Sequence, residues 1–399
     1  MNILFYTNSD VPHLGGKSSH ICDLKDGLIA TGNHADIISA LSVKGSILKR
    51  TKFKKIFIQP LRYIDEWWYS RKSLEITDRA IQGILKEYIL GHKVDLISAQ
   101  DPISAIYAYE VVGDAVPITL TMHSYFGKGM SDISHDTKGK QHFDILRERD
   151  LNSIEVARAI VGVDTRIKED CETFTKDRRP ELPVYAIPNF VNTDIYKPAA
   201  MKEKQKAKKY FKIPEAKKVA ICIRRLCDKN GVIFAVKAME KVENTVLLVG
   251  GDGPNMESIR SYVNEHNLSS KVKLLGGVEG SVKANMYAAA DYAMVPSITV
   301  NGLQEATSIS AIEAMACGII LIASGIGGLK ELVQNGENGV LVDEQSENQI
   351  AAALNELNAN EQKTADLSKT ARKTVIEKYS HIAGANKYLE VFKTAISKE

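Results

Sequence analysis

Apolar residues along this chain fall into short runs rich in β-branched side chains, separated by longer stretches with helical spacing. The first six runs, Ile3–Thr7, Ala35–Ala40, Asp95–Ala99, Ile118–Thr121, Ile160–Val163 and Val184–Ile187, each predict a strand. A second series follows at Val219–Ile223, Val246–Val249, Val272–Leu275, Tyr292–Val295, Ile319–Ala323 and Gly339–Val342. Strands that alternate with helices build parallel sheets from strand-helix-strand units. Between the series, Pro198 and Pro214 bracket the lysine-rich Met201–Lys209, so Asn189–Lys218 is expected to be a linker. The predicted fold class is α/β, with two Rossmann-like doubly wound domains at 1–190 and 191–380. A last helix at 381–399 is expected to pack back toward the first domain.

Length agrees with that division, since 399 residues are too many for one ordinary core. The formal charge of +3 is small for this length and does not suggest a nucleic-acid partner. Five cysteines, Cys22, Cys171, Cys222, Cys227 and Cys317, are scattered and never form a Cys-x-x-Cys pair. That disfavours a disulfide framework and a zinc site, and points to a reducing cytosol. The opening Met1–Thr7 reads as a first strand and not as a signal peptide. No window approaches the roughly 18 continuous apolar residues of a membrane span. A cytoplasmic chain is therefore expected, with any contact at the inner face of the plasma membrane peripheral.

Ligands of open parallel sheets bind beyond the carboxyl ends of the strands, and two such domains facing each other would share one cleft. The unusual residues fall in those loops. Gly15 and Gly16 follow the first strand and open a helix near Lys17, where free amides favour anionic or hydroxyl-rich groups. A tight turn would use the same glycines. His123 follows the strand Ile118–Thr121, a position that suits a ligand contact as well as a structural role. Arg224 and Lys229 flank the end of the strand Val219–Ile223, with a helix expected from Gly231. Two cations beside a helix amino end suit a diphosphate. Gly250-Gly251-Asp252-Gly253-Pro254 lacks a full Gly-x-Gly-x-x-Gly fingerprint and reads as a tight turn bordering a nucleotide, which counts against a nicotinamide dehydrogenase.

Glu305 and Glu313 frame a segment of small and apolar residues that leads into the strand Ile319–Ala323. A helix apolar on nearly every side is buried, and a carboxylate within it is costly unless something binds it. Glu313 therefore requires a hydrogen-bonding partner, either ribose hydroxyls or a protein donor. Glu305 precedes the helix, where its carboxylate and the following amides can meet sugar hydroxyls and phosphate.

In this order the features resemble a family 4 retaining glycosyltransferase of the GT-B fold. The resemblance runs over almost the whole chain, through Gly15-Gly16, His123, Ile187–Pro198, Arg224 with Lys229, Gly250–Pro254, Glu305 with Glu313, and Gly325-Ile-Gly-Gly328. It implies that Glu313 holds the ribose, Glu305 the donor sugar, and Arg224 and Lys229 the diphosphate. His123 would lie against the transferred sugar and Gly16 near the diphosphate. Gly251 would border the nucleotide, and Thr307, Ser308 and Ile309 would offer backbone amides. Three departures stand out: Ala306-Thr307-Ser308 replaces the family's usual Gly-Phe-Gly, Arg224-Arg225-Leu226 replaces Gly-Arg-Leu, and Phe190 replaces the glycine of Pro-Asn-Gly. The second leaves Arg225 as an alternative to Arg224, although the five-residue spacing to Lys229 favours Arg224.

The family implies a hexosyl transfer with retention of configuration from a nucleotide sugar, a UDP-sugar first, to a glycan, lipid-linked or small-molecule acceptor in polysaccharide or glycoconjugate synthesis. The chain holds no Asp-x-Asp. No metal and no cofactor is expected, since the cationic pair can stand in for a divalent ion at the diphosphate. The alternatives are a GT-B nucleotide-sugar epimerase and a catalytically silent homologue acting as a binding subunit.

Residues 44–72 stand apart in charge. Nine cations, Lys44, Lys49, Arg50, Lys52, Lys54, Lys55, Arg62, Arg71 and Lys72, face Asp65 and Glu66, which leaves +7. Phe53, Phe57, Tyr63, Trp67, Trp68 and Tyr69 are interleaved with them. Such a segment is expected either to dock on an anionic membrane or polyanionic carrier, or to form a solvated helix whose aromatics pack on the sheet.

Overall fold

The computed structural model describes residues 1–13, 15–125, 147–302 and 304–397. Leu14 of the early glycine loop and the last two residues of the expected C-terminal helix thus lie outside the described residues. The chain forms two compact units, Met1–Pro188 with Gly384–Glu399, and Asn189–Ala383.

In the first unit, β1 (Asn2–Tyr6), β2 (His34–Ile38), β3 (Leu96–Ala99), β4 (Ile118–Met122), β5 (Ala159–Gly162) and β6 (Val184–Ala186) form a six-stranded sheet in the order β2-β1-β3-β4-β5-β6. Every pairing is parallel, with Ile3 opposite both Ala35 and Leu96. Strand order reverses at β1 and β3, so the loops after those strands border the crevice where such sheets bind ligands. Helix Glu66–Gly91 begins with the Asp65 carboxylate accepting from the Trp68 amide, which satisfies one of its unpaired donors. The C-terminal helix His381–Ser397 supplies Tyr388 to this unit, fully buried.

The second unit repeats the plan. Here β7 (Lys218–Ile223), β8 (Thr245–Gly250), β9 (Val272–Leu274), β10 (Tyr292–Val295), β11 (Ile320–Ser324) and β12 (Val340–Val342) pair in the order β12-β11-β10-β7-β8-β9, again all parallel. Along β7, Val219 and Ile221 enter one buried cluster while Ala220 and Cys222 enter the other, so both faces of the strand are covered. A strand buried twice must be apolar throughout, which is why it reads as a run.

The expected linker is a structural part of this unit. Met201–Tyr210 is a helix with Ala207 fully buried, and Lys204 Nζ pairs with Asp291 Oδ1 at 2.8 Å. Its lysines mislead because the domain itself holds two of the ammonium groups: besides Lys204, the buried Lys208 donates from Nζ to the Glu215 and Lys217 carbonyls at 2.9 and 2.7 Å.

Candidate active site

In the second unit the strand order reverses between β7 and β10, and the predicted residues gather at the carboxyl ends of these neighbours. Arg224 follows β7 directly. Its guanidinium donates from Nη1 to Ser297 Oγ at 2.8 Å and from Nη2 to Asn230 Oδ1 at 3.0 Å. Nη2 also pairs with Glu305 Oε1 at 2.9 Å, where the side chains are only 6% and 17% exposed. Ser297 Oγ donates to the other Glu305 oxygen at 3.4 Å, so serine bridges both members of the pair. Arg225 is exposed, and its carbonyl accepts from Asn230 Nδ2 at 2.7 Å.

Close backbone approach explains the glycines around this cluster. Gly231 has φ +60°, and a Cβ there would lie 1.8 Å from the Pro296 carbonyl oxygen. A Cβ on Gly251, at φ +147°, would lie 1.8 Å from the Arg224 carbonyl oxygen, and one on Gly253 would lie 2.3 Å from that of Leu226. The glycine run after β8 therefore answers first to the Arg224–Leu226 backbone crossing it. Lys229, which is exposed, sits in the one-turn segment Asp228–Asn230, and its carbonyl accepts from the Ile298 amide at 2.9 Å. The helix expected from Gly231 begins at Val232.

Glu305 is held by its backbone as well, since its carbonyl accepts from the Gly328 amide at 3.0 Å. Asn189 Nδ2 donates to the Thr307 carbonyl at 2.8 Å, and a Cβ on Gly328 would come within 2.7 Å of the Thr307 nitrogen. Together these contacts set Ala306–Ser308 immediately before helix Ile309–Ala316, whose N-cap is Ser308. The first amides of that helix, starting with Ile309, have no intrahelical acceptor and remain donors.

Glu313, on the same helix, is 2% exposed and has found protein donors. Lys283 Nζ pairs with its Oε1 at 2.8 Å, and the Tyr287 hydroxyl donates to Oε2 at 2.5 Å. Burial and the Glu313 charge hold the Tyr287 phenol well above its ordinary range, so it stays a donor. Lys283 also donates to the Tyr196 hydroxyl at 3.2 Å. Each Glu313 oxygen retains a second lone pair for a ligand hydroxyl. Sequence reasoning missed Lys283, Tyr287, Ser297 and Asn230. Lys283 and Tyr287 carry a usable signal, being four residues apart and so on one face of helix Gly280–Ala289.

The first unit holds its own polar cluster after β1 and β3. Gly15, at φ +135°, is the N-cap of helix Gly16–Ala30. Lys17 in its first turn pairs with Asp101 Oδ2 at 2.8 Å, and Thr7 Oγ1 donates to the same oxygen at 2.9 Å. Burial pushes the Asp101 carboxyl up, but the Lys17 charge and hydrogen bonds outweigh it and leave the group below its ordinary value. His123 Nε2 lies 3.1 Å from Gln100 Oε1, and its ring meets that of His20 edge-on at 4.9 Å. His20 Nε2 is in turn 3.1 Å from the Tyr388 hydroxyl. Burial, with His20 and Lys17 nearby, lowers the His123 pKa well below the ordinary value, so the ring is a neutral imidazole. Its Nε2 proton goes to Gln100, which leaves Nδ1 as an acceptor. Thus the structure joins Arg224 to Glu305, places Glu313 with Lys283 and Tyr287, and sets His123 beside the helix that Gly15 caps.

Residues 203–374 match the family model described as glycosyl transferases group 1. An uncharacterized glycosyltransferase of Methanocaldococcus jannaschii is 24% identical over 393 residues, covering 96% of this chain and 95% of that protein. The GDP-mannose-dependent alpha-(1-6)-phosphatidylinositol monomannoside mannosyltransferase of Mycobacterium tuberculosis is 23% identical, covering 89% and 88%. Among solved structures, Anabaena HepE in complex with UDP-glucose superimposes with a TM-score of 0.69 at 18% identity, covering 99% of this chain and 100% of that one. The chain thus has two parallel doubly wound sheets of the GT-B fold, and residues 203–374, within the second unit, form a glycosyl transferases group 1 domain.

Proposed function

We propose that this glycosyltransferase moves a hexose, with retention of configuration, from a UDP-sugar to a glycan, glycolipid or small hydroxylated acceptor in glycoconjugate synthesis. The second unit binds the donor and the first the acceptor. The observation that carries the reading is the Arg224–Ser297–Glu305 cluster at the strand-order reversal of the second sheet. Arg224 and Lys229 hold the diphosphate, Glu305 takes hydroxyls of the donor sugar, and Glu313 uses its remaining lone pairs for the ribose. The amides from Thr307 to Ile309 add donors at a helix start.

Glycosyl transfer passes through an oxocarbenium-like transition state, and negative charge grows on the departing diphosphate as the bond breaks. Groups fixed before reaction stabilise that growing charge more than the ground state, which lowers the barrier. In the mechanism we favour, the anomeric carbon to diphosphate-oxygen bond breaks and the acceptor oxygen bonds to that carbon on the same face. The acceptor proton passes to the leaving phosphate oxygen. No protein nucleophile and no metal enter this scheme.

HepE supports a uridine donor by analogy and the mycobacterial relative a guanosine one. A thermal-shift screen over UDP-, GDP- and ADP-sugars separates them, because a ligand of the folded state alone raises the melting temperature. Stabilisation by a UDP-sugar, followed by UDP release with an acceptor extract, is the expected result. Stabilisation by none of the three would defeat the reading, and quantitative conversion of donor alone to an epimer would replace it with an epimerase.

The first unit also presents a surface suited to an anionic membrane. Phe53, Ile56, Phe57, Tyr63 and Ile64, on helices Gly45–Ile58 and Leu61–Ile64, are between 60% and 91% exposed amid the +7 segment. Apolar tips among lysines suit the interface of an anionic bilayer.

A further inference from the structure

A cavity of about 760 Å³ opens within the first unit, walled by Trp67, Trp68 and Tyr107, with Asp78 and Arg149 among its polar groups. Both tryptophans of the protein are here. Arg71 lies over their rings, 5.4 Å and 5.5 Å from the centroids. This volume falls in the range of small-molecule sites, which combine apolar walls with a few placed polar groups.

The cavity's charges largely cancel. Lys17 with Asp101, Lys72 with Glu75 and Arg149 with Asp150 are each paired at 2.8 Å. What remains is Arg71 and Asp78, and neither forms an ion pair among the described residues. Asp78 is 4% exposed and accepts a side-chain hydrogen bond from Asn8, which leaves its carboxylate with further acceptor sites on the cavity wall. An anionic ligand would need an excess of cations, and the lining has none. A purely apolar ligand would strip water from Arg71 and from the acceptor sites of Asp78 that Asn8 does not fill. A ring with hydroxyls at its rim and C–H groups on its face answers both the carboxylate and the indoles.

We propose that this cavity binds a neutral polyhydroxylated ring, a monosaccharide or cyclitol unit, as the recognised part of the acceptor. The ring lies against Trp67 and Trp68, and its hydroxyls donate to Asp78. The proposal rests on the glycosyltransferase reading for the word acceptor, while the cavity's chemistry stands by itself.

Because Trp67 and Trp68 are the whole tryptophan content, emission excited at the red edge, where the 15 tyrosines do not absorb, reports on this cavity alone. The full chain is titrated with methyl α-mannopyranoside, methyl α-glucopyranoside and myo-inositol to about 100 mM, enough to saturate even a millimolar site. At least one ring should change the emission saturably. Asp78→Asn, near in volume, should weaken that binding about tenfold or more, and Trp68→Phe, reporting through Trp67, should weaken it too. Response to none of the rings, a response unaltered by Asp78→Asn, or a response to inorganic phosphate in their place would each overturn the proposal. Melting temperatures of the same samples with UDP and GDP read the donor side independently. Nucleotide binding without ring binding removes the cavity proposal alone, and ring binding without nucleotide binding removes the donor reading alone.

Discussion

Arg224 and Glu305, far apart in sequence, are bound to each other at 2.9 Å, with Ser297 hydrogen-bonded to both. The group proposed for the diphosphate and the group proposed for the sugar thus orient one another. Pre-set charges need little reorganisation when the transition state forms.

That pairing sets the expected pattern of substitutions. Lys229 is exposed, so Lys229→Ala should cut kcat about 10²-fold with an unchanged melting temperature. Arg224→Ala should cut turnover at least as much and also destabilise by about 3 kcal/mol, because a buried carboxylate loses its partner. Arg225→Ala should behave as wild type. Steady-state kinetics and thermal unfolding of the three proteins check this, and an inactive Arg225→Ala with a normal Arg224→Ala would reverse the assignment.

Glu313 has a structural and a proposed ligand-binding role, and two variants separate them. Tyr287→Phe removes one protein hydrogen bond and should cost about 1–2 kcal/mol of stability while leaving UDP affinity unchanged. Glu313→Gln should weaken UDP by about 1.5–3 kcal/mol, as expected for hydrogen bonds lost from a charged acceptor. Calorimetric titration with UDP decides, and equal affinity in Glu313→Gln would leave only the structural role.

Burial and then the charge of Asp101 push the Asp78 carboxyl up to about 7 from an ordinary 3.8, against the opposing pull of the Arg149 charge, the Asn8 hydrogen bond and the Lys55 charge. Below about pH 4 both folded and unfolded chains hold this proton, and between the two values only the folded chain does. Its stabilising contribution is therefore full in acid and lost as pH rises through about 7. Asp78→Asn should gain up to about 4 kcal/mol on wild type at pH 8 and little at pH 4. Denaturant unfolding of both proteins across that range tests the sign. His123, whose pKa is lowered, works oppositely, losing stability as pH falls below its ordinary range, and it cancels in the difference.

Gly231→Ala should be among the most damaging small substitutions in the second unit. The new methyl would sit 1.8 Å from the Pro296 carbonyl oxygen at φ +60°, so backbone on both sides of Arg224's partners must move. A loss of about 3 kcal/mol or more, with nucleotide binding impaired, is expected. Gly336→Ala has φ +80° but open space and should cost about 1 kcal/mol. Thermal unfolding ranks the two.

The exposed apolar and basic patch predicts salt-sensitive binding to vesicles containing phosphatidylserine. Each nearby lysine or arginine is worth about 1 kcal/mol at such a surface, and the attraction is screened by salt. Replacing Phe57 and Ile64 by serine should release the protein without altering its fold, since both side chains are exposed. Sedimentation with anionic and neutral vesicles at low and high salt measures it; equal, negligible pelleting with both would refute membrane docking.

Among the described residues the twelve strands were legible in the sequence to within a residue or two, the inner ones because a doubly buried parallel strand must be apolar along its whole length. The positions of Arg224, Glu305 and Glu313 at strand ends and a buried helix followed from that same local pattern. What answers each of them did not. Glu313 demanded a partner on energetic grounds, yet Lys283 and Tyr287 reach it only because helix Gly280–Ala289 packs beside helix Ile309–Ala316. The glycines after β8 read as a tight turn bordering a nucleotide, while their first duty is to let the Arg224–Leu226 backbone pass. Trp67 and Trp68 read either as membrane-docking aromatics of a basic segment or as aromatics packed on the sheet. Tertiary packing set them on the wall of a cavity with Asp78, from the same helix, and Asp101 and Arg149, from other parts of the chain. Period and polarity are local properties that a chain carries before it folds. Which polar groups meet is fixed by how elements distant in sequence come to lie together, and no window of sequence contains that.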